Sequence, residues 1–378
     1  MRTLDDAREV CEAHLPGLLA KLSSISMAEL EKPDNQGLEL FRSCGGPGLV
    51  IPKEYSGSGV TPLEAIQVTR AIGAVAPSLA VASTMHHFSV ATVFTLAESL
   101  QSSGLEWALL EGIATQNLLV SSGFAEGNPG QGILSPTVGG VRKEGGIVVN
   151  GSKRPCSMSR SMDLLSASVS VPKEGGGTEN VLMLIPAKTP GVSVHPFWGS
   201  NVLAGAESDE VRLTDVFVDD RLLVPTEVGE RGELDELQTI GFMWFEMLIT
   251  SCYLGMASAL VERVFASKKL GAEQLADLGV RLETATLLLE GIARQLTSKE
   301  GDNTALTKTM IARYGAQEAI VDVASRAVEA LGGMAFISSP EVAYLAAACQ
   351  CVSFHPPSRS STRRALAETF SGDVLRFG

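Results

Sequence analysis

The stretch SSGFAEGNPGQGILSPTVGGVRKEGGIVVNGSKRPCSMSRSMD, residues 121–163, decides the fold of this chain. It opens with a loop rich in Gly, Pro and Asn, Phe124 to Gly132, passes through a hairpin pattern and closes on the polar segment Gly151 to Ser157. A Gly-dense loop lets backbone N–H groups approach a planar or phosphorylated ligand, and the hydroxyls of Ser157 and Ser159 would face that ligand from a strand end. The stretch is typical of a cofactor-binding surface, although two ordinary surface turns of a β domain have the same composition.

The composition indicates a folded protein with a large apolar core and an acidic surface. The chain has 378 residues, 45% of them hydrophobic, which is enough for two or three packed layers or domains. Its formal net charge of -13 argues against a nucleic-acid partner, because no stripe of Lys and Arg exists to neutralise phosphates. The six cysteines form no CxxC pair and no His stands at metal-ligand spacing, so we expect reduced thiols and no metal site.

The polarity pattern predicts a cytoplasmic protein without membrane contact. The opening segment MRTLDDAREVCEAHL is charged and helical in period, unlike a secretion signal. The segment Ile240 to Val261 approaches membrane-spanning length, but it carries Glu246, and the rest of the chain has a globular pattern. We therefore expect a buried bundle helix at this place.

Three regions follow one another along the chain. Residues 1–117 have apolar residues at helical spacing, and a capping box at Thr61 to Glu64 starts one helix. Residues 118–228 alternate apolar and polar residues between Gly and Pro turns. In residues 229–378 long helices return, predicted at Thr239 to Lys268, Glu273 to Lys299, Thr304 to Leu331 and Pro340 to Val352. The predicted fold class is α+β multidomain: an N-terminal α-helical domain, a middle antiparallel β-barrel or sandwich, and a C-terminal four-helix bundle.

This order of regions, with the motifs that they carry, resembles the acyl-CoA dehydrogenase superfamily of flavoproteins over essentially the whole chain. GLVIPKEYSGSGVTPLEA, residues 48–65, is similar to that family's Gly-Leu-x-x-Pro-x-x-Tyr-Gly-Gly-x-Gly segment. GFAEGNPGQG, residues 123–132, lies where the family has its flavin loop, and NGSKRPCSMS, residues 150–159, lies where it has Asn-Gly-x-Lys-x-Trp-Ile-Thr/Ser-Asn. EALGGMAF, residues 329–336, resembles Gln-x-x-Gly-Gly-x-Gly.

The resemblance implies flavin adenine dinucleotide (FAD) as the cofactor. By this register the family's flavin-stacking Trp falls on Pro155, and Ser157 keeps the hydroxyl that in relatives bonds the flavin near its reactive N5. The segment through which a neighbouring subunit usually holds the other end of the cofactor is shortened to FASKKLGAEQLAD and is not recognisable, so a weakened dinucleotide grip is the competing interpretation. The residues that the resemblance assigns to the cofactor are Phe124, Glu126, Gly130, Gly132, Pro155, Cys156, Ser157, Glu329, Gly332 and Gly333.

The largest departure from the family is at its catalytic base. Relatives oxidise an acyl thioester by removing an α-proton with a Glu, which many of them place in a Tyr-Glu-Gly-Thr turn near the C-terminus. Here that turn reads Phe354 to Arg359, and the Glu position falls on Pro356 or His355. Other relatives place the Glu on the first bundle helix, and Glu246 stands one residue off that site, in an apolar helix that would raise the pKa of its carboxyl.

Glu246 and His355 are therefore the predicted catalytic residues, each with a structural alternative. For Glu246 the alternative is an ion pair with an Arg of another helix, and for His355 it is a turn histidine fixed by prolines. His86 and His87 lie on the helix that in relatives lines the flavin pocket, and with Ser159 they are predicted to bind substrate. One of the two histidines is also a candidate for a buried, hydrogen-bonded side chain without a catalytic role.

The resemblance implies an FAD-dependent oxidoreductase and leaves its reaction open. The first hypothesis is α,β-dehydrogenation of an acyl or aminoacyl thioester carried by coenzyme A or a carrier protein. The second is a flavin-dependent monooxygenase of the same fold, which acts on amines or aromatic compounds with reduced flavin and O₂, because those members also lack the Glu. The third is a non-catalytic relative. The strongly apolar segment Ile240 to Leu260 further predicts self-association into a homodimer or homotetramer.

Overall fold

Helices come first, a β region follows and helices return, in the order that the sequence predicts. The structure is a computed structural model, and it describes residues 1–99, 102, 104–128, 135–173, 176–226 and 233–377. The helices that precede the sheet are α1 Arg2–His14, α2 Leu18–Ser23, α3 Met27–Leu30, α4 Gly37–Ser43, α5 Pro62–Val75, α6 Pro77–Glu98 and α7 Leu105–Gln116.

The β region and the second set of helices complete the described chain. The strands are β1 Val120–Gly123, β2 Gly139–Lys143, β3 Gly146–Cys156, β4 Leu164–Pro172, β5 Thr178–Pro186, β6 Val192–His195, β7 Asp209–Asp219 and β8 Leu223–Thr226. The later helices are α8 Glu236–Ser267, α9 Ala272–Thr297, α10 Asn303–Leu331, α11 Gly333–Ser338, α12 Pro340–Gln350 and α13 Arg359–Phe370. The predicted bundle helices are confirmed, with ends that differ by up to three residues.

Helix α8 is the central element of the helical part. Every residue from Gly241 to Val261 is buried, and α5, α6, α9, α10 and α12 all pack against it. By length and composition α6 and α8 are long and apolar enough to cross a membrane, yet 78% and 94% of their most apolar windows are buried inside the protein. Such burial is what core helices show, so their apolar character is explained by packing.

Two glycines let α5 and α8 pack against each other very closely. A Cβ atom on Gly255 of α8 would lie 2.2 Å from the carbonyl oxygen of Arg70, and one on Gly73 of α5 would lie 2.5 Å from that of Cys252. Neither position therefore tolerates a side chain without a shift of backbone. The N-terminal capping box of α5 is also confirmed, because Thr61 and Glu64 each accept a backbone N–H from the other.

The β region is one mixed sheet of eight described strands, in the order β6-β7-β3-β2-β4-β5-β8, with β1 beside β4. Most pairs are antiparallel as predicted, but β1 and β2 both run parallel to β4. The purely antiparallel arrangement was wrong because alternation of apolar and polar residues reports which face of a strand is buried, and not the direction of its neighbour.

Three apolar cores of the described residues determine how these regions are joined, and the smallest of them holds Ile113 of α7 and Val120 of β1, where helices meet the sheet. The helices before the sheet and those after it contribute side chains to one continuous core, in which Leu4, Ile66, Leu254 and Leu345 are all buried. The inward-facing residues of the sheet, such as Val149 and Val169, form a separate core. The helical part is thus built from both ends of the chain, and the sheet packs against it.

Candidate active site

A largely apolar cavity of about 140 Å³ lies where the sheet meets α6 and α8. Its walls come from parts of the chain that are far apart in sequence: Phe124, Pro155 and Ser157 from the β region, Phe245 from α8, and His355 from the turn after α12. Four predicted site residues, Phe124, Pro155, Ser157 and His355, are therefore brought together. Concave apolar cavities with a few polar groups are the usual form of a small-molecule site.

Hydroxyl groups line the sheet side of the cavity, which we call the β wall (Ser122, Phe124, Pro155, Ser157 and Ser208). The Oγ atoms of Ser157 and Ser208 are 2.9 Å apart and share a hydrogen bond. Ser121 fixes the backbone there, because its hydroxyl donates to the carbonyl oxygen of Ser157 at 2.6 Å. The β wall therefore offers flat apolar surface with hydroxyls at its edge.

Cys156 and Ser159, which the sequence placed in the site, do not line this cavity. Cys156 alternates with Pro155 and Ser157 along the chain and points into the core of the sheet, where burial raises the pKa of its thiol to about 12. The buried Ser159 hydroxyl donates to the carbonyl oxygen of Glu207 at 2.7 Å. Both side chains support the backbone on which the cavity residues stand.

Glu126 holds the loop beside the β wall in place. Its carboxylate accepts the backbone N–H groups of Thr137 and Val138 at 3.0 Å and forms an ion pair with the buried Lys153 at 2.7 Å. These contacts use the carboxylate within the protein, and the cofactor contact that the sequence assigned to Glu126 stays a prediction. Gly130 and Gly132, the other predicted members of the loop, lie outside the described residues.

The two neighbouring histidines of α6 are buried and do not line the cavity. His86 Nε2 lies 2.9 Å from the carbonyl oxygen of Pro47, and the backbone N–H of Val120 donates to His86 Nδ1 at 3.0 Å. Burial lowers the pKa of His86 to about 4, and lowers that of His87 well below its usual value. His86 matches the buried, hydrogen-bonded histidine considered from the sequence, while Met85 and Phe88 of the same helix line the cavity.

Glu246 lies just outside the described cavity lining, in a fully buried ion pair with an Arg of α10. The Nε atom of Arg313 donates to Glu246 Oε2 at 2.9 Å, and both side chains are 0% exposed. Burial raises the pKa of the Glu246 carboxyl to about 7, and the Arg313 charge opposes that rise. This is the structural alternative that the sequence left open for Glu246.

Arg313 connects that ion pair to the turn that carries His355. Its Nη2 atom donates to the carbonyl oxygen of Val352 at 2.7 Å and to that of His355 at 3.3 Å, and its Nη1 atom donates to the Gln317 side chain. The Gln317 amide in turn donates to the Ser353 hydroxyl at 3.1 Å. The Arg313 guanidinium thus fixes the backbone of the turn that carries His355.

His355 reaches the cavity with one ring nitrogen occupied. Its Nδ1 atom lies 2.8 Å from the hydroxyl of Tyr253, a fully buried residue of α8. Burial and the Arg313 charge lower the pKa of His355 to about 4, so the ring is neutral at pH 7. The carbonyl oxygen of Cys351 lies farther from Nδ1, at 3.4 Å. Tyr253 is the nearer partner and, among the residues that the structure describes, has no other partner for its O–H, which favours donation to Nδ1 and leaves the ring proton on Nε2.

The segment Glu329 to Gly333 lies at the end of α10, away from the cavity. Gly332 has a φ of +82° and ends the helix, and the Glu329 side chain is exposed. Met334 and Ile337 beyond it are 73% and 77% exposed, an apolar surface in line with self-association. The cofactor contact and the self-association assigned to this part of the chain stay predictions.

The sequence did not point to Arg313, Tyr253 or the aromatic residues Phe242 and Trp198 of the cavity. For Arg313 a signal was present: it stands three residues after Met310, on the apolar face of α10, and a charge on such a face needs a partner. Tyr253 carried no comparable signal, because its role depends on a residue 102 positions later in the chain.

The fold, the order of motifs and the cavity define the class: the chain belongs to the acyl-CoA dehydrogenase superfamily of flavoproteins, as a member without the usual C-terminal catalytic Glu. Residues 253–355 match the family described as "Acyl-CoA dehydrogenase, C-terminal domain". The family and fold that the sequence predicts are therefore confirmed.

The individual relatives come from different branches of this fold. Over 376 residues, 99% of this chain and 100% of the relative, the sequence is 45% identical to the isobutylamine N-hydroxylase of Streptomyces viridifaciens. The butyryl-CoA dehydrogenase structure from Megasphaera elsdenii has a TM-score of 0.82 at 15% identity and covers 98% of both chains. KijD3, in complex with FMN and a dTDP-amino-keto sugar, also has a TM-score of 0.82, at 17% identity, over 97% of this chain and 94% of its own.

Proposed function

We propose that this protein is a flavin-dependent monooxygenase that hydroxylates the nitrogen of a small aliphatic amine. The observation that carries the proposal is the cavity lining: its described residues include a neutral histidine and no carboxylate. Removal of an α-proton from a thioester needs a base with a free lone pair, whereas His355, the titratable residue of the described lining, has its Nδ1 lone pair engaged by Tyr253. The 45% identity to an isobutylamine N-hydroxylase supports the same choice.

The β wall fits the ring system of a flavin. Phe124 and Pro155 provide flat apolar surface, and the hydroxyls of Ser157 and Ser208 can donate to or accept from the polar edge of the ring. When bound and reduced, the flavin supplies the electron pair with which O₂ is activated. FMN and FAD present the same ring to these residues, and FAD stays the prediction from the sequence.

The proposed reaction balances without a further co-reactant. A primary amine, O₂ and reduced flavin give the N-hydroxylamine, water and oxidised flavin. One N–O bond forms, the O–O bond breaks, and the second oxygen atom takes up two protons and leaves as water. The amine must enter as the neutral base, because its lone pair forms the new bond.

The apolar cavity keeps the amine in that neutral form. A primary alkylamine in water resembles a Lys side chain, with a pKa of about 10.4, so it is protonated at pH 7. Burial among Phe88, Phe242 and Phe245 disfavours the ammonium form of the amine. No described lining residue carries a negative charge that would stabilise the ammonium form. The cavity thus favours loss of a proton from the ammonium nitrogen of the substrate.

We assign to His355 the role of an N–H donor in the cavity. With Nδ1 held by Tyr253, its Nε2–H is the group that donates a hydrogen bond to an oxygen atom, while the two protons of the departing water come from the amine nitrogen and the reduced flavin. Glu246 and Arg313 support this role by fixing the turn that carries His355. Under the dehydrogenase hypothesis Glu246 would instead be the base, but its ion pair and its position outside the described lining disfavour that role.

The test compares two substrates on the purified protein. Isobutylamine is supplied with flavin and a flavin reductase, O₂ uptake is followed, and the hydroxylamine is identified by mass spectrometry. We expect amine-dependent O₂ uptake with one hydroxylamine formed per amine consumed. Separately, butyryl-CoA is added anaerobically to the flavin-loaded protein. Bleaching of the flavin by the thioester, lost in Glu246→Gln, with no hydroxylamine formed, would overturn the proposal in favour of the dehydrogenase.

A further inference from the structure

A continuous row of aromatic rings runs from the cavity to the last described residues of the chain. Phe242 lines the cavity on α8 and lies at a centroid distance of 6.0 Å from Phe245, which also lines it. Phe242 also meets Phe377 edge-to-face, at 5.0 Å and an interplanar angle of 67°. Phe377 is not among the residues that line the cavity, so it acts on the cavity through Phe242.

The segment that carries Phe377 is fixed in place by specific contacts. Asn303, the first residue of α10, binds Leu375 in both directions: its Nδ2 donates to the Leu375 carbonyl oxygen, and its Oδ1 accepts the Leu375 N–H, both at 2.8 Å. The Leu375 side chain is 0% exposed and belongs to the helical core. We call residues 373–377 the tail segment.

Through these contacts the tail segment supports the cavity wall at Phe242. Edge-to-face aromatic pairs hold rings in a defined orientation, so Phe377 restricts how far the Phe242 ring can tilt away from the cavity. The cavity is small, about 140 Å³, and a ring that cannot move back limits the length of any apolar ligand. No residue of the tail segment takes part in the proposed chemistry.

We propose that the tail segment, acting through Phe377 on Phe242, sets the chain length of the amine that this protein accepts. The inference rests on the proposed function for the identity of the substrate, and on the aromatic contacts for the length limit. Phe242 and Phe377 are specificity-determining residues: the first touches the ligand, and the second holds the first in position.

Binding of a homologous series tests the length limit independently of the reaction. The oxidised, flavin-loaded protein, which does not turn over, is titrated by calorimetry with alkylamines from propylamine to octylamine and with the alcohols of the same lengths. Each methylene that becomes buried strengthens binding about fourfold, whereas one that meets a fixed ring weakens it. The wild-type protein is expected to bind the shortest members and to reject the longer ones.

Three variants separate the tail segment from the rest of the cavity. Phe377→Ala removes the supporting ring, and Asn303→Ala releases the tail segment without touching an aromatic residue. Phe370→Ala is the matched control, because Phe370 is 75% exposed and shows no ring contact with Phe242 among the described residues. In Phe377→Ala and Asn303→Ala the preferred length should rise by one or two carbons for amines and alcohols alike, with Phe370→Ala unchanged.

The outcomes distinguish this inference from the proposed function. If the variants keep the wild-type preference while Phe242→Ala shifts it, the tail segment does not set the limit and the inference fails, whatever the reaction is. If the preference shifts for alcohols and amines but the wild-type protein forms no hydroxylamine, the length limit stands and the proposed function fails. Should Phe377→Ala not fold by circular dichroism, Asn303→Ala decides the question.

Discussion

Burial lowers the pKa of both His86 and His355 to about 4, but the two histidines differ in how many of their ring nitrogens have a hydrogen-bond partner in the protein. At His86 both nitrogens are held by backbone, one by the Pro47 carbonyl and one by the Val120 N–H. At His355 only Nδ1 has partners, the Tyr253 hydroxyl at 2.8 Å and the Cys351 carbonyl oxygen at 3.4 Å, and the ring lines the cavity. A perturbed pKa alone therefore does not mark a functional histidine; a nitrogen left available in a cavity does.

The most direct test of this comparison is to replace each of the two histidines by alanine. His355→Ala should lower kcat for amine hydroxylation by ~10² to 10³, the typical cost of losing a positioned hydrogen-bond donor, and should also lower the free energy of unfolding, because it leaves the buried Tyr253 hydroxyl without its partner. His86→Ala should lower the free energy of unfolding by about 1 to 3 kcal/mol, because it leaves the Val120 N–H buried without a partner, while kcat per folded molecule is retained. Steady-state kinetics and urea unfolding measure the two effects.

Tyr253→Phe serves as the graded control for that pair. It keeps the ring of Tyr253 and removes the hydroxyl that fixes the protonation of His355, so kcat and its pH profile should change while His86 is unaffected. Equal losses of kcat in His86→Ala and His355→Ala would show that the two histidines do not differ in the way described.

The support of the His355 turn can be removed without touching either histidine. Arg313→Met leaves Glu246 buried without its partner and should lower the free energy of unfolding by about 3 to 5 kcal/mol. The double variant Glu246→Leu with Arg313→Met removes both charges and should recover most of that stability, measured by urea unfolding.

Activity should not return in the double variant, because the carbonyls of Val352 and His355 still lack the Arg313 donor. A double variant that is both stable and fully active would mean that the turn keeps its conformation without Arg313.

The pH dependence of stability is the net result of opposing contributions from buried groups. The folded pKa of His86 lies below its usual 6.5, so the unfolded chain binds more protons between pH 6.5 and about 4. Stability should therefore be lost as the pH falls through that range, by about 3 kcal/mol from His86, and His355 acts in the same direction. Glu246, with its folded pKa raised from 4.5 to about 7, acts in the opposite direction.

Urea unfolding between pH 4 and pH 7.5 measures whether the free energy of unfolding rises or falls with pH. Because three buried histidines with lowered pKa values act together against two buried carboxyls with raised ones, Glu246 and Glu31, the net slope should be positive with pH. Stability that fell from pH 4.5 to pH 6.5 would contradict this balance.

The sequence predicted the elements of this protein better than the contacts between them. Apolar periodicity was sufficient for the bundle helices, and alternation was sufficient for the strands, because both patterns are local. The parallel neighbours of β4 and the Arg313 partner of Glu246, 67 residues away, depend on how elements meet in space. Pro155 and Ser157 could be placed from a motif, whereas Tyr253 and Phe377 act only through residues that the fold brings to them.

The close packing of α5 on α8 has a consequence for how the protein is made. Gly73 and Gly255, which permit that contact, are separated by the whole β region, so α5 leaves the ribosome well before its partner exists. At the usual rate of synthesis the delay is roughly 10 to 40 s, during which the face of α5 that packs on α8 has no native surface to cover it. The inward-facing residues of the strands form a separate core, so they do not depend on α8 to bury them. The nascent chain therefore exposes its N-terminal helices to chaperones longest, and completes the cavity only when α8 arrives.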